Sequence, residues 1–304
     1  MTRDRIVFFG TDAFSVPSLV HLLAAEWNVV AVVTKPDSHT GRGQELTSPA
    51  VKRLAEARHI PVFQPRKLSD IEDQLSDLSP TAGIVVAYGR IIPASILRLF
   101  PKGVINVHAS LLPKYRGASP IEAAILNGDP ATGVTLMQLD TGLDTGPTYD
   151  NSTLQLAGTE NRLSLYEQLA ELGADLLETK LTAILGGTIV PIPQDSPQAT
   201  TTRLITKDDG RINWSQPAET LERQIRAYLG WPGSRAELAG TEITITQAHV
   251  FPKDGPAGTA YKTPASELAV YAAKGSLIID YLKPAGKREM TGPEFLAGHP
   301  LPVE

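Results

Sequence analysis

Two polar stretches of this 304-residue chain concentrate the side chains that could do chemistry. NVHASLLPKYRGASPI covers residues 106–121, and TGVTLMQLDTGLDTG covers residues 132–146. Asn106 and His108 stand two residues apart, which on a strand puts both on one face. An Asn amide is a fixed donor, and a His ring can hold or move a proton. The pair therefore suits an oxygen that gains negative charge beside a proton transfer. Asp140 and Asp144 follow a strand-like run, and Gly142 and Gly146 permit tight backbone around them. A carboxylate there could pair with His108 and favour the charged ring. A plain structural reading stands beside this one. Asn and Asp form turns, a single His is often structural, and SLLP could be an apolar loop over a sheet edge. Spacing alone leaves both readings open.

The elements around these residues read as alternating strands and helices. Residues 6–9 (IVFF), 29–33 (VVAVV), 61–63, 83–87 (GIVVA) and 104–107 are short apolar runs. Helical spacing falls between them, at 15–27, at 50–58 and from about Pro93. Continuous Val/Ile runs point to strands buried on both faces, as in a parallel sheet covered by helices. An open, doubly wound, mostly parallel α/β sheet follows. The 104–107 strand then delivers Asn106 and His108 to its carboxyl end, where such sheets bind ligands. Strands at 132–139 and 149–156 and a helix at 163–185 complete a first domain, 1–190. Residues 191–206, rich in Pro and Thr, read as a linker. Residues 207–304 hold one helix, 218–229, and strands at 234–238, 242–248, 268–272 and 276–282, a small β-barrel or sandwich.

Composition narrows the function. The chain has no cysteine, which removes disulfides, thiolate metal sites and a Cys nucleophile. No metal cluster is evident. P-loop, nucleophile-elbow and zincin motifs are missing, and the first strand leads into Gly10-Thr11-Asp12 instead of a dinucleotide fingerprint. That disfavours a nicotinamide oxidoreductase. No apolar run approaches the ~20 residues of a membrane span. The amino end carries no h-region, so a cytoplasmic protein with no membrane partner is expected. The net charge of -5 argues against bulk nucleic-acid binding, though local cations could still hold such a partner.

Together the two stretches resemble the signature segments of the methionyl-tRNA formyltransferase family. The resemblance extends to FFGT at 8–11, KPD and GRG within 35–43, VVAYGRIIP at 85–93, INW at 212–214 and KPAGKREM at 283–290. It implies a Rossmann-like formyltransferase domain followed by an OB-like barrel that assists tRNA binding. It implies a cytoplasmic enzyme, expected as a monomer. The reaction would move the formyl group of 10-formyltetrahydrofolate, a co-substrate, to the α-amine of methionyl-initiator tRNA for translation initiation. By the same resemblance Asn106, His108 and Asp144 are catalytic. Ser110, Leu111, Leu112 and Pro113 would contact folate, with Val86, Tyr88, Gly89, Leu139 and Asp140 around it. The tRNA contacts would be Arg42 and Lys35 in the 34–49 loop, with Lys207, Lys287 and Arg288 further on. The family commonly has basic residues after GRG, whereas Gln44 and Glu45 stand here. The trio marks the chemistry of all formyltetrahydrofolate enzymes. A transferase acting on a nucleotide sugar or on glycinamide ribonucleotide is therefore the nearest rival, and a non-catalytic RNA-binding module a more distant one.

Overall fold

Continuous apolar runs become the middle of a seven-stranded sheet in the computed structural model, which describes residues 4–40 and 45–303. In chain order the strands of this part are β1 (Arg5–Gly10), β2 (Asn28–Val33), β3 (Ser38–Thr40), β4 (Glu45–Thr47), β5 (Val62–Phe63), β6 (Ala82–Val86), β7 (Val104–His108), β8 (Arg116–Gly117), β9 (Ala131–Gln138) and β10 (Thr148–Gln155). The main sheet has the order β10-β9-β7-β6-β1-β2-β5. The five strands from β5 to β7 are parallel, and β9 and β10 close one side antiparallel. Every residue of β6 and β7 is buried, as two covered faces require. β10 lies at the edge and alternates between half-buried and exposed positions over its second half. β3 and β4 form a separate antiparallel ribbon.

The chain runs outward from β1 to β2 and β5, then returns to the other side of β1 with β6 and β7. This reversal opens a crevice beyond the carboxyl ends of β1 and β6. The Thr11 hydroxyl ties the strand ends there. It donates to the Tyr88 carbonyl at 3.2 Å and accepts the Lys35 N–H at 3.2 Å.

Helices α1 (Val16–Ala24), α2 (Ala50–Ala57), α3 (Glu72–Asp77), α4 (Ala94–Leu97) and most of α6 (Arg162–Leu185) belong with these strands, and α5 (Pro120–Asn127) follows β8 in the chain. The helix expected from Pro93 is only four residues long, and α3 and α5 were not read from sequence. Each is under nine residues, too short for a clear 3.6-residue pattern. α6 buries Leu165, Leu169, Leu177 and Leu181 at helical spacing. Gly173 is the point where it comes close to the sheet, since a Cβ there would stand 2.8 Å from Val107 Cγ1. Val107 thus faces α6, and alternation turns Asn106 and His108 to the opposite face.

The chain divides into two units. One comprises residues 1–120, 131–155 and 166–203, the other 121–130, 156–165 and 204–304. The segment expected as a linker is not featureless. Within it β11 (Thr201–Thr202) pairs with β8 in parallel.

In the second unit α7 (Ala218–Ala227) precedes β12 (Ser234–Leu238), β13 (Thr241–Phe251), β14 (Ala260–Lys262), β15 (Leu268–Tyr271), β16 (Ser276–Pro284) and β17 (Met290–Thr291), and α8 (Gly292–Gly298) follows. The order β12-β13-β16-β15-β14, with β17 on β16, is wholly antiparallel. β13 is eleven residues long and changes register at Gln247, the kind of bulge that bends a strand and lets a sheet curl toward an OB-like half-barrel. Leu221 and Ile225 of α7 and Phe295 of α8 fill its core with Ile243, Ile245, Leu277 and Ile279.

The Gly173 contact yields a stability prediction. Gly173→Val adds a branched side chain against Val107 in a packed interior, where overpacking costs about 1–3 kcal/mol. Urea unfolding should show a loss of that size; an unchanged midpoint would mean that α6 does not approach the sheet at this residue.

Candidate active site

β7 carries the first two expected catalytic residues. Its register sets Asn106 beside Val85 of β6 and Met137 of β9, and His108 beside Thr135 of β9. Asn106 is 8% exposed and His108 6%. Among the described residues no side-chain hydrogen bond engages the Asn106 amide, so it remains available to a ligand. His108 has a definite partner, since Nε2 lies 3.0 Å from the Tyr115 carbonyl oxygen. A carbonyl can only accept, so Nε2 carries a proton.

The other ring nitrogen faces Asp144. His108 Nδ1 stands 3.7 Å from Asp144 Oδ2, with the carboxylate side chain 14% exposed. The same Oδ2 accepts the Gly117 N–H at 2.8 Å. Asp144 has φ 51°, a left-handed backbone unusual for a side chain with a Cβ. Its carbonyl accepts from Gln194 Nε2 at 2.8 Å, and the same nitrogen donates to the Gly146 carbonyl at 2.7 Å. Gln194 Oε1 in turn accepts Arg116 Nε at 2.9 Å and Nη2 at 2.8 Å. Gly146 is needed for close approach, because a Cβ would stand 1.8 Å from the Gln138 carbonyl oxygen.

Thr135 pins the SLLP loop. Its hydroxyl donates to the Ser110 carbonyl at 2.7 Å and accepts the Leu112 N–H at 3.1 Å. The Ser110 hydroxyl is fully buried and donates to the Lys114 carbonyl at 2.6 Å, so it closes the loop from inside. Leu111, Leu112 and Pro113 remain half-buried.

The other expected folate neighbours divide in the same way. Val86 is buried, and the Tyr88 ring packs edge-on against Phe9 at 5.7 Å in the core. Burial pushes the Tyr88 phenol up, so it stays neutral. What this turn presents outward is the main chain of Ala87 and Gly89, both exposed and both with positive φ. Lys35 Nζ lies only 2.6 Å from where a Cβ on Gly89 would be. Leu139 is half-buried. The Asp140 carboxylate accepts the Gly142 N–H at 2.9 Å and the Thr145 hydroxyl at 2.8 Å, closing its own turn.

Of the expected tRNA contacts, Arg42 lies outside the described residues. Asp37, of the KPD motif, holds the chain on either side of that segment. It accepts from Lys52 at 2.8 Å, Gln64 at 2.7 Å and Ser48 at 2.9 Å. The Gln64 and Lys52 bonds bring its carboxyl down to about 2. Lys207, Lys287 and Arg288 are exposed in the second unit.

Sequence reasoning missed Gln194, Arg116, Tyr115 and Thr135. Arg116 and Tyr115 fall inside a quoted motif but carried no role there, and Gln194 sits among prolines. None has a local pattern; only long-range pairing brings them together.

Comparisons with known proteins extend this geometry. Residues 4–181 match the family model described as formyl transferase, and residues 204–300 match formyl transferase, C-terminal domain. Over 303 residues the chain is 43% identical to the methionyl-tRNA formyltransferase of Trichlorobacter lovleyi, covering 99% of this chain and 96% of that protein. Among solved structures, an N-formyltransferase from Helicobacter canadensis, in complex with folinic acid and dTDP-3-aminofucose, superposes with a TM-score of 0.69 at 20% identity. That match covers 92% of this chain and 99% of that one. HypX from Aquifex aeolicus, in complex with tetrahydrofolic acid, matches all of this chain with a TM-score of 0.64 at 16% identity, and this chain spans about half of its length, 49%. At these identities the structural matches establish the fold.

The carboxyl of Asp37 gives a pH expectation. Its native value near 2 lies below the ordinary 3.8, so its contribution is present in full above about pH 4. It is lost as pH falls through about 2. An NMR titration of the Asp37 carboxyl should show its midpoint near 2, and a midpoint at 3.8 would mean that Gln64 and Lys52 do not hold it in solution.

Proposed function

The chain belongs to the methionyl-tRNA formyltransferase family, and on that premise we propose that Asn106, His108 and Asp144 form its transfer site. The enzyme moves a formyl group from 10-formyltetrahydrofolate to the α-amine of methionyl-initiator tRNA, the modification that prepares it for translation initiation. The relatives that carry this activity share about two fifths of their residues with the chain over nearly its whole length. The N-formyltransferase from Helicobacter canadensis, whose structure holds dTDP-3-aminofucose, shares 20%.

The residues around the trio fit a folate. Leu111, Leu112, Pro113 and Leu139 offer half-buried apolar surface, and the exposed main chain at Ala87 and Gly89 offers polar groups at its margin. A flat heterocycle with a polar edge calls for that combination. 10-Formyltetrahydrofolate supplies a formyl carbon activated by its bond to N10. Asn106 donates an amide N–H to the formyl oxygen as it gains negative charge. His108 stands on the same face of β7 as Asn106, and with Nε2 engaged by the Tyr115 carbonyl it serves proton transfer from the amine through Nδ1 and Asp144. A donor aimed at a developing oxyanion contributes roughly 3–4 kcal/mol.

The observation that carries this reading is the pair of acceptors around His108. Nε2 faces the Tyr115 carbonyl and Nδ1 faces the Asp144 carboxylate, and neither partner can donate. Asp144 orients that ring, and its carboxylate can take up the proton that the attacking amine loses, directly or through water; the formyl C–N10 bond then breaks, and N10 leaves with a proton as the amine of tetrahydrofolate.

Acceptor binding depends on local cations. Residues 207–304 hold 11 Lys and Arg against 12 Asp and Glu, whereas the first 206 hold 17 against 21. Neither part is basic, so Arg42, Lys35, Lys207, Lys287 and Arg288 are proposed as a few separate phosphate contacts. We assign the reaction to the cytoplasm, where translation supplies charged tRNA, and to a monomer, which sedimentation would read directly.

Formyl transfer should be detected with methionyl-initiator tRNA and not with free methionine or a sugar nucleotide. His108→Ala and Asn106→Ala should each lower kcat by about 10²–10⁴ with the fold intact. Near-native turnover in either variant would remove that residue from the transfer site.

Salt provides a separate check on the acceptor. Each neutralised phosphate adds roughly 0.9 to the log–log salt slope on duplex. With five such contacts at most, the KM for tRNA should rise with a slope no steeper than about 4.5. A steeper slope would require a basic surface that this composition does not offer.

A further inference from the structure

Three consecutive residues touch His108, Gln194 and Asp144. The Tyr115 carbonyl takes the His108 Nε2 proton, and the Gly117 N–H reaches Asp144 Oδ2. Between them the Arg116 guanidinium holds Gln194 Oε1 with two bonds. Gln194 spends its amide nitrogen on the carbonyls of Asp144 and Gly146, at 2.8 and 2.7 Å. These two carbonyls flank Thr145, immediately after the left-handed residue Asp144.

We propose that Gln194 is a positioning residue for formyl transfer, acting through Asp144 and fixed in place by Arg116. The inference rests on the reading of Asp144 given above. A left-handed φ at a residue with a Cβ is unfavourable and persists only where the surroundings over-determine it. The two Gln194 bonds are that determination, since they take the carbonyls on both sides of Thr145. Without them the Asp144 backbone can relax toward an ordinary conformation, which moves Oδ2 away from His108 Nδ1. Arg116 fixes which end of the Gln194 amide points where. Its nitrogens only donate, so Oε1 faces Arg116 and Nε2 faces the carbonyls. The segment around Gln194 is also tied to the same strap. The Arg116 N–H donates to the Thr200 carbonyl at 2.9 Å, and the Tyr115 N–H to the Thr200 hydroxyl at 2.9 Å. Thus the stretch that reads as a linker supplies part of the transfer site.

Gln194 touches no reacting atom, so its removal should act on turnover and leave folate binding nearly unchanged. The test is a double-mutant cycle in the full chain, with Gln194→Ala and Asp144→Asn made singly and together. Gln194→Glu serves as a second variant. It keeps an oxygen toward Arg116 while losing both amide donations, so it preserves the Arg116 contact and the fold. Gln194→Ala and Gln194→Glu should each lower kcat about tenfold or more in the native background, with the KM for 10-formyltetrahydrofolate changed less than about threefold. In the Asp144→Asn background the same changes should lower kcat less than about threefold, because residues that act as a unit are non-additive. If Asp144→Asn alone keeps native turnover, the transfer-site reading falls and this inference with it. If Asp144→Asn is impaired but the Gln194 variants turn over normally, or lose the same factor in both backgrounds, only the positioning role is overturned.

Discussion

Residues 115 to 117 set where two groups from distant parts of the chain meet. His108 and Asp144 are 36 positions apart in the sequence, yet one accepts its place from the Tyr115 carbonyl and the other from the Gly117 N–H. The backbone between those two atoms is short and nearly inextensible, so fixing one fixes the other. Left-handed backbone at Tyr115 as well as at Asp144 is unfavourable for residues with side chains. The strap is held against that tendency by parallel pairing of β8 with β11 and by the Thr200 contacts. A Cβ at Gly117 would stand 2.3 Å from the Thr202 carbonyl oxygen, so the approach of the two segments depends on glycine there.

The rest of the first unit supplies rigidity on the other side. Asn106 and His108 sit on a strand buried between β6 and β9, and Val107 between them is pressed by α6 at Gly173. Precision of this kind comes more easily from a central strand than from a loop. Asp144, by contrast, stands on a turn, where backbone can adopt the conformation that aims its carboxylate. The turn then needs outside support, and Gln194 and Gly146 give it.

Much of this architecture is legible in the residues. Valine and isoleucine runs mark β1, β2, β6 and β7 to within a residue or two, because strands buried on both faces must be apolar throughout. The spacing of Asn106 and His108 places them on one face, and the structure agrees. What escaped was short or long-range. α3 and α5 have too few turns for a period, and β14 and β17 are three and two residues long. Gln194 lies in a segment whose prolines and threonines say only that it is irregular. Its function comes from pairing with a residue 78 positions away, which no local pattern encodes. The family resemblance singles out the trio as a proposal but does not separate side chains that face outward from those that build the loop.

That separation bears on what the motifs preserve. The Ser110 hydroxyl is used by the Lys114 carbonyl, the Asp140 carboxylate by its own turn, and Val86 and Tyr88 by the core. Four residues of the expected folate set therefore build loop shape, and the outward surface is left to leucines, Pro113 and main chain. Recognition of the acceptor has a different requirement. It must come from groups that the folding bonds leave partly uncommitted, and such groups sit where the loops are least tied down. Lys35 is one candidate, because its main chain is held by Thr11 while its ammonium reaches over Gly89 into the crevice beyond β1 and β6. A cation at that reversal of the sheet would stand beside the folate margin proposed at Ala87 and Gly89, where an acceptor approaching the formyl carbon would also pass.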